Sequence, residues 1–157
     1  MPADLKESLR TLTYGLYIIT VTNSGKKNAM LASWVSQVSF DPPQIMVAVK
    51  KSRLTHTMLT SADGFGLMVV QKGKEKELMA YKGDDPERKF AGRNVTVGKS
   101  GAPLLAEYLS TFDLKIVARV DVGDHTLFVG EVLFAEVTSK GTPATSLDYG
   151  KTYIGDY

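Results

Sequence analysis

The chain has 157 residues, of which 43% are hydrophobic and 23% are charged, and nineteen Lys and Arg against seventeen Asp and Glu give a net charge of +2. These values are typical of one globular domain that is long enough to bury a core, so we predict a single domain over residues 1–157. The absence of cysteine excludes disulfides, thiolate nucleophiles, iron–sulfur clusters and the usual structural zinc sites.

The charge balance does not favour a nucleic-acid binder, which normally has a concentrated basic face. The longest apolar run, residues 45–49, is too short to cross a bilayer, and the N-terminus has early acidic charge without an apolar signal core. The chain has only two histidines, His56 and His125, so we predict no metal site. We expect a cytoplasmic protein that binds neither nucleic acid nor membrane.

The first half of the chain alternates between predicted strands and short helices. Apolar spacing predicts a helix over 5–12, and β-branched and aromatic residues predict a strand over 14–22. A turn at 23–26 leads into a second strand over about 28–40, so the two strands are predicted to form a hairpin. Asp41-Pro42-Pro43 is expected to stop strand pairing, because proline has no N–H to donate.

The remaining predicted elements follow in order. A strand is predicted over 44–50, a helix over 55–62 with Gly64 as its stop, and a strand over 65–70. A helix over 73–81 and a long loop over 83–103 follow. Strands over 111–122 and 126–138 are joined at Gly123-Asp124, and a last short strand is predicted within 147–157. Hairpin-linked strands with short helices between them predict a mainly β (α+β) fold, an antiparallel barrel with helical insertions. They do not fit a doubly wound parallel sheet.

The segment KKSRLTHT at residues 50–57 is the first candidate site. Three cations and three hydroxyls lie where a predicted strand ends and a predicted helix begins, which is the chemistry that holds a phosphate dianion. The alternative is a solvated strand end followed by a capping threonine, and composition alone leaves both interpretations open.

The segment NAMLASWVS at residues 28–36 is the second candidate site. Its small residues, Ala29, Ala32 and Ser33, allow a flat ligand to approach the backbone, while Met30 and Trp34 offer apolar walls. Taken alone, the segment favours the simpler alternative in which Met30 and Trp34 belong to the core.

A third candidate is His125, in the sequence Gly123-Asp124-His125-Thr126 at a hairpin turn. Imidazole titrates near neutral pH, so this side chain is suited to steering or protonating a substrate. A histidine in this setting is more often only a polar turn residue.

Taken together, these segments resemble the flavin reductase-like family, the FMN-binding split-barrel proteins that include flavoredoxins. The matching motifs are MLASW at 30–34, VSFDPP at 38–43, LTH at 54–56, KFAG at 89–92 and GDHTLFVGEV at 123–132. The resemblance extends from about Tyr14 to Tyr157. It implies a split β-barrel that forms a homodimer, with FMN near the subunit interface.

The resemblance also implies roles for individual residues. The flavin ring edge would be bound by the strand that contains Met30, Leu31, Ala32, Ser33, Trp34 and Val35, with Ser33 as the best side-chain candidate. The phosphate would be bound by the set Lys50, Lys51, Ser52, Arg53, Thr55 and His56. Lys89 and Phe90 would close over the flavin, and His125 would lie near the nicotinamide as the catalytic candidate. The chain departs from many relatives at Leu31, where threonine is common, and at Leu114, where cysteine is common.

The function that the resemblance implies is an NAD(P)H-dependent flavin reductase that passes a hydride from nicotinamide to flavin N5, with FMN as its cofactor. The alternative from another class is a non-enzymatic FMN electron carrier whose partner is a small redox protein such as rubredoxin or ferredoxin. A third alternative is a relative that binds no flavin.

Overall fold

The structure is a computed structural model, and it describes residues 1–83 and 85–154. Its helices are α1 (Ala3–Arg10), α2 (Leu54–Leu59), α3 (Pro86–Phe90), α4 (Ser146–Tyr149) and a 3-10 helix over Glu75–Tyr81. Its strands are β1 (Tyr17–Asn23), β2 (Lys26–Ala32), β3 (Val35–Phe40), β4 (Pro43–Lys50), β5 (Gly64–Val69), β6 (Val95–Val97), β7 (Pro103–Leu105), β8 (Ser110–Val122) and β9 (His125–Val137). Within the described residues, no helix is long and apolar enough to span a bilayer.

Seven strands form one antiparallel sheet in the order β2-β1-β5-β8-β9-β4-β3, and β6 pairs with β7 separately. The two edge strands, β2 and β3, are consecutive in the chain, with only Ser33 and Trp34 between them. Three Cα steps cover at most about 11 Å, so the sheet must curl until the ends of its two edges meet. The carbonyl of Trp34 accepts a hydrogen bond from the Ala48 N–H (3.0 Å) at this junction. The predicted antiparallel split-barrel fold is confirmed.

The prediction of one strand over 28–40 is wrong, although β1 and β2 do form the predicted hairpin. Ala32 is the last residue of β2 to pair with β1, opposite Tyr17, and Val35 begins the pairing of β3 with β4, opposite Val47. The chain therefore leaves one edge of the sheet and joins the other at Ser33-Trp34. Residues on both sides of Ser33-Trp34 lie in strands, so residue type alone predicted one continuous strand.

Strands β1 and β5 are buried on both faces, each face packing against a different apolar cluster. Ile19 and Leu67 belong to an apolar cluster closed by α2, whereas their neighbours Ile18 and Met68 belong to a second cluster. The 3-10 helix and α3 cover that second cluster with Leu78, Tyr81 and Phe90. Two-sided burial accounts for the almost continuous apolar sequence of these strands.

Three smaller predictions are corrected by the structure. Helix α2 ends at Leu59, and Gly64 begins β5, where a Cβ would lie 2.1 Å from the Leu114 carbonyl oxygen. The loop predicted over 83–103 contains α3 and β6 and reaches the start of β7. Where a short strand was predicted within 147–157, the structure has α4, which ends at Gly150 in the left-handed conformation. Residues 155–157 of that prediction lie outside the described residues.

Replacing Gly130 by Ala should destabilise the fold by about 1–3 kcal/mol, the usual cost of overpacking a core. A Cβ at Gly130 would lie 2.8 Å from the Leu114 Cβ and 2.9 Å from the Phe65 ring, and both side chains are fully buried. Urea denaturation measures the change, with the exposed Val137→Ala as the control that should stay within about 0.5 kcal/mol. An unchanged midpoint for Gly130→Ala would show that the core has room at this position.

Candidate functional site

A cleft of about 530 Å³ opens beside the junction of the two sheet edges. Its volume is within the range of small-molecule and cofactor sites. The cleft is built from β2, the end of β4, α2, the end of the 3-10 helix, α3, α4 and the C-terminal segment, with Leu16 just before β1. The lining residues are Leu16, Asn28, Met30, Leu31, Ser33, Lys50, Arg53, Leu54, Thr55, Tyr81, Lys82, Gly83, Lys89, Ser146, Tyr149, Lys151 and Tyr153.

The charge of the cleft lining is entirely positive among the described residues. Five of the lining side chains are cations: Lys50, Arg53, Lys82, Lys89 and Lys151. No Asp or Glu is among the described lining residues. A concave surface of one sign concentrates ligands of the opposite sign, so this cleft favours an anionic ligand.

One of these cations, Lys89, is built into the wall of the cleft. Lys89 is only 3% exposed, and its Nζ donates to the Asn28 Oδ1 at 3.0 Å. The Asn28 amide in turn donates from Nδ2 to the Thr55 Oγ1, also at 3.0 Å. This network joins β2, α2 and α3 across the cleft, and it holds an ammonium group in place at a buried position.

Three members of the basic segment lie outside the cleft lining. Lys51 does not line it, because its Nζ donates to the Gly123 carbonyl at 3.1 Å and lies 3.7 Å from Asp121. His56 also contacts this hairpin, with its Nε2 2.8 Å from the Thr126 Oγ1. Burial lowers the pKa of the His56 imidazole. Ser52 is exposed and lies outside the cleft lining.

An aromatic cluster lies at the junction between the sheet edges. The Trp34 ring centroid is 4.7 Å from His125, 5.0 Å from Tyr153 and 6.2 Å from Tyr14. Among these four residues, Tyr153 lines the cleft. His125 therefore lies next to the cleft, in contact with Trp34, and does not form part of its lining.

The orientation of the His125 ring is fixed by its neighbour in the turn. His125 Nδ1 lies 2.6 Å from the Asp124 Oδ1, and this hydrogen bond holds the pKa of the Asp124 carboxyl below its usual range. Since a carboxylate only accepts, Nδ1 is the donor. Lys50 Nζ lies 4.0 Å from the same carboxylate, so Asp124 connects the basic end of β4 with His125.

The remaining candidates divide between the cleft and the core. Met30, Leu31 and Ser33 line the cleft. Ala32 lies in the first apolar cluster, against which Val35 packs. Phe90 is buried in the second cluster, and the Lys27 ammonium lies 4.8 Å from its ring centroid. Phe90 thus supports the helix that carries Lys89 without lining the cleft.

Several lining residues were not predicted. Asn28 begins the second candidate segment but carried no signal of its own, because its role depends on Lys89, 61 positions away. Tyr81 comes from the 3-10 helix, and its hydroxyl lies 2.6 Å from that of Tyr108. Burial, followed by this hydrogen bond, raises the pKa of Tyr81, so the phenol stays neutral. Lys151 and Tyr153 lie in the segment that was predicted only as a terminal strand.

Comparisons with known proteins agree with this architecture. A family model of the flavin reductase like domain matches residues 9–155. The chain is 36% identical over 153 residues to high molecular weight rubredoxin of Moorella thermoacetica, covering 95% of this chain and 67% of that protein. It is 33% identical over 147 residues to a ferric-chelate reductase (NAD(P)H) of Archaeoglobus fulgidus, covering 91% and 87% of the two chains.

Longer relatives and solved structures give the same result. The chain is 32% identical to diflavin flavoprotein A 1 of Synechocystis and spans 27% of its length. Among solved structures, an NADH:FAD oxidoreductase of Streptomyces globisporus superposes with a TM-score of 0.81 at 28% identity, covering 92% of this chain and 89% of that one.

The fold and the site define a split-barrel protein with a positively charged cleft. The family match covers nearly the whole chain, and on this basis the chain belongs to the flavin reductase-like family. The predicted family and its enzyme class, flavin oxidoreductase, are confirmed.

Proposed function

We propose that the chain is an NAD(P)H-dependent flavin reductase and that FMN is its flavin. The observation that carries this proposal is the cleft, in which five cations and no described carboxylate lie beside apolar and aromatic walls. FMN joins a planar, largely apolar ring system to a phosphate dianion, so the donor set and the walls fit both of its parts. The similarity to a ferric-chelate reductase (NAD(P)H) and to an NADH:FAD oxidoreductase supports a pyridine nucleotide as the electron donor.

The chain's own residues divide into two groups in this proposal. Lys50, Arg53 and Lys89 bind the phosphate as cations, and Thr55 adds a hydroxyl to the same wall. The Met30–Ser33 part of the cleft binds the ring, with Leu31 as an apolar contact. When bound, the flavin supplies a hydride acceptor at N5, and the protein supplies binding, orientation and electrostatics.

The same proposal is tested by mixing the FMN-loaded protein anaerobically with NADH or with NADPH and following the visible absorption of the flavin. Rapid bleaching with either nucleotide supports a reductase. Bleaching by reduced rubredoxin or ferredoxin but by neither nucleotide would contradict the reductase and support the electron carrier. A protein that binds no flavin would contradict both.

We assign His125 the role of positioning the nicotinamide. Its ring is held by Asp124 and packs on Trp34 at the edge of the cleft. Replacing His125 by Ala should lower the rate constant of flavin reduction by about tenfold or more, because a misplaced reactant loses much of the benefit of orientation. Stopped-flow mixing with NADH measures this rate. FMN affinity should remain unchanged, and an unchanged reduction rate would reject the role of His125.

We also propose that the chain forms a homodimer. Beyond Lys115, β8 has only β9 as a strand partner among the described residues. This free edge carries Val117, Val120 and Val122, all of them substantially exposed, and Phe40 at the β3–β4 turn is 91% exposed. Exposed apolar groups on a free strand edge are typical of an interaction surface.

A further inference from the structure

The indole nitrogen of Trp34 is unusual among the buried polar atoms. Within residues 1–83 and 85–154, it is the one buried side-chain nitrogen or oxygen that has no hydrogen-bond partner. Buried donors in native proteins are almost always paired, so an unpaired one calls for an explanation. The position of Trp34, between β2 and β3 and beside the cleft, favours a ligand as that partner.

The ring of Trp34 is covered by a segment that lacks regular secondary structure. Tyr153 lies 5.0 Å from Trp34 and 6.4 Å from His125, and it also lines the cleft. It follows α4 and Gly150, whose φ of 73° ends that helix. Tyr153 is therefore the member of the aromatic cluster that connects the covered indole with the open cleft.

We propose that Tyr153 occupies the place of an aromatic ligand ring on Trp34, and that the bound ligand accepts a hydrogen bond from Trp34 Nε1. The ligand is a planar heteroaromatic ring that carries a carbonyl oxygen. This inference rests on the proposed function, because a flavin ring and a nicotinamide carboxamide share that chemistry. While Tyr153 covers Trp34, the buried indole N–H has no acceptor, and this costs free energy. A ligand that displaces Tyr153 supplies the acceptor, so its binding recovers that free energy.

The ligand half of this proposal is tested on the wild-type protein by NMR. Trp34 is the only tryptophan in the chain, so ¹⁵N-labelled protein gives a single indole N–H signal. FMN is added in one arm and NAD⁺ in the other, with calorimetry to measure binding in each. We expect a downfield shift of the indole proton and slower exchange with solvent in the arm whose ligand accepts the bond. Binding in both arms without these changes overturns the inference alone, whereas no binding in either arm overturns the proposed function as well.

The donor itself is tested by Trp34→Phe, which keeps an aromatic ring and removes the N–H. The variant should bind the ligand identified by NMR about tenfold more weakly, the upper range for one neutral hydrogen bond. Unchanged affinity in a folded variant would contradict the assignment. If the variant does not fold, the wild-type NMR result decides.

The cover is tested separately by fluorescence of the unliganded protein. Tyr153→Ala should shift the Trp34 emission to longer wavelength and increase its quenching by acrylamide, because the indole loses a covering ring. Leu147→Ala, an exposed position on α4 in the same terminal region, is the matched control and should leave both measurements unchanged. Unchanged emission and quenching in Tyr153→Ala would show that Tyr153 does not cover Trp34.

Discussion

Replacing Arg53 by Met is expected to weaken FMN binding by about two orders of magnitude and to leave riboflavin binding unchanged. A hydrogen bond to a charged group contributes about 1.5–3 kcal/mol, and roughly 2.7 kcal/mol corresponds to a hundredfold change in Kd. Arg53 lines the cleft, and its side chain makes no capping hydrogen bond to α2. The substitution therefore removes a ligand contact without removing a helix cap.

Calorimetry or flavin fluorescence measures the two affinities, and the comparison of FMN with riboflavin isolates the phosphate. Lys51→Met is the matched control, because Lys51 lies two positions away and its ammonium contacts Gly123 and Asp121 outside the cleft. We expect this control to change FMN affinity little. Equal losses for both ligands in Arg53→Met would place Arg53 at the ring instead, and no loss for either would remove Arg53 from the binding site.

The difference between Arg53 and Lys51 shows how far the sequence predicts the site. A run of cations and hydroxyls at a strand end predicts an anion site, and the structure places Lys50, Arg53 and Thr55 of this run in the cleft lining. It does not predict which cations face the cleft. The direction of the Lys51 side chain depends on Asp121 at the end of β8 and on Gly123 in the β8–β9 turn, and both lie some 70 positions further along the chain.

The same limit applies to the fold. Residue type predicted most strands and the β8–β9 hairpin, because alternating and β-branched sequence is a local property. The transfer of the chain from one sheet edge to the other at Ser33-Trp34 is not local, since it depends on β3 pairing with β4 rather than with β1. The network of Asn28 with Lys89, and the contact of Tyr153 with Trp34, likewise join segments that are remote in sequence. The resemblance to a family supplied Lys89, which the local pattern did not indicate.

The second large effect concerns the free edge of β8. The double substitution Val120→Glu with Val122→Glu is expected to raise the dissociation constant of the homodimer by about a hundredfold or more. The two valines are 47% and 41% exposed and lie two positions apart, so they face the same side of β8. In the dimer each would bury its remaining apolar surface, worth about 1 kcal/mol, and a carboxylate in its place would have to be desolvated without a partner.

Analytical ultracentrifugation over a range of concentrations measures the dissociation constant. Val97→Glu is the matched control, because Val97 is also an exposed valine on a strand but lies in the separate β6–β7 pair. The β8 variant should become monomeric at concentrations where the control remains dimeric, and both should keep the same circular dichroism spectrum. A wild-type protein that is monomeric at every concentration would contradict the dimer. A dimer that tolerates both glutamates would place the interface elsewhere, with the exposed Phe40 at the β3–β4 turn as the next position to substitute.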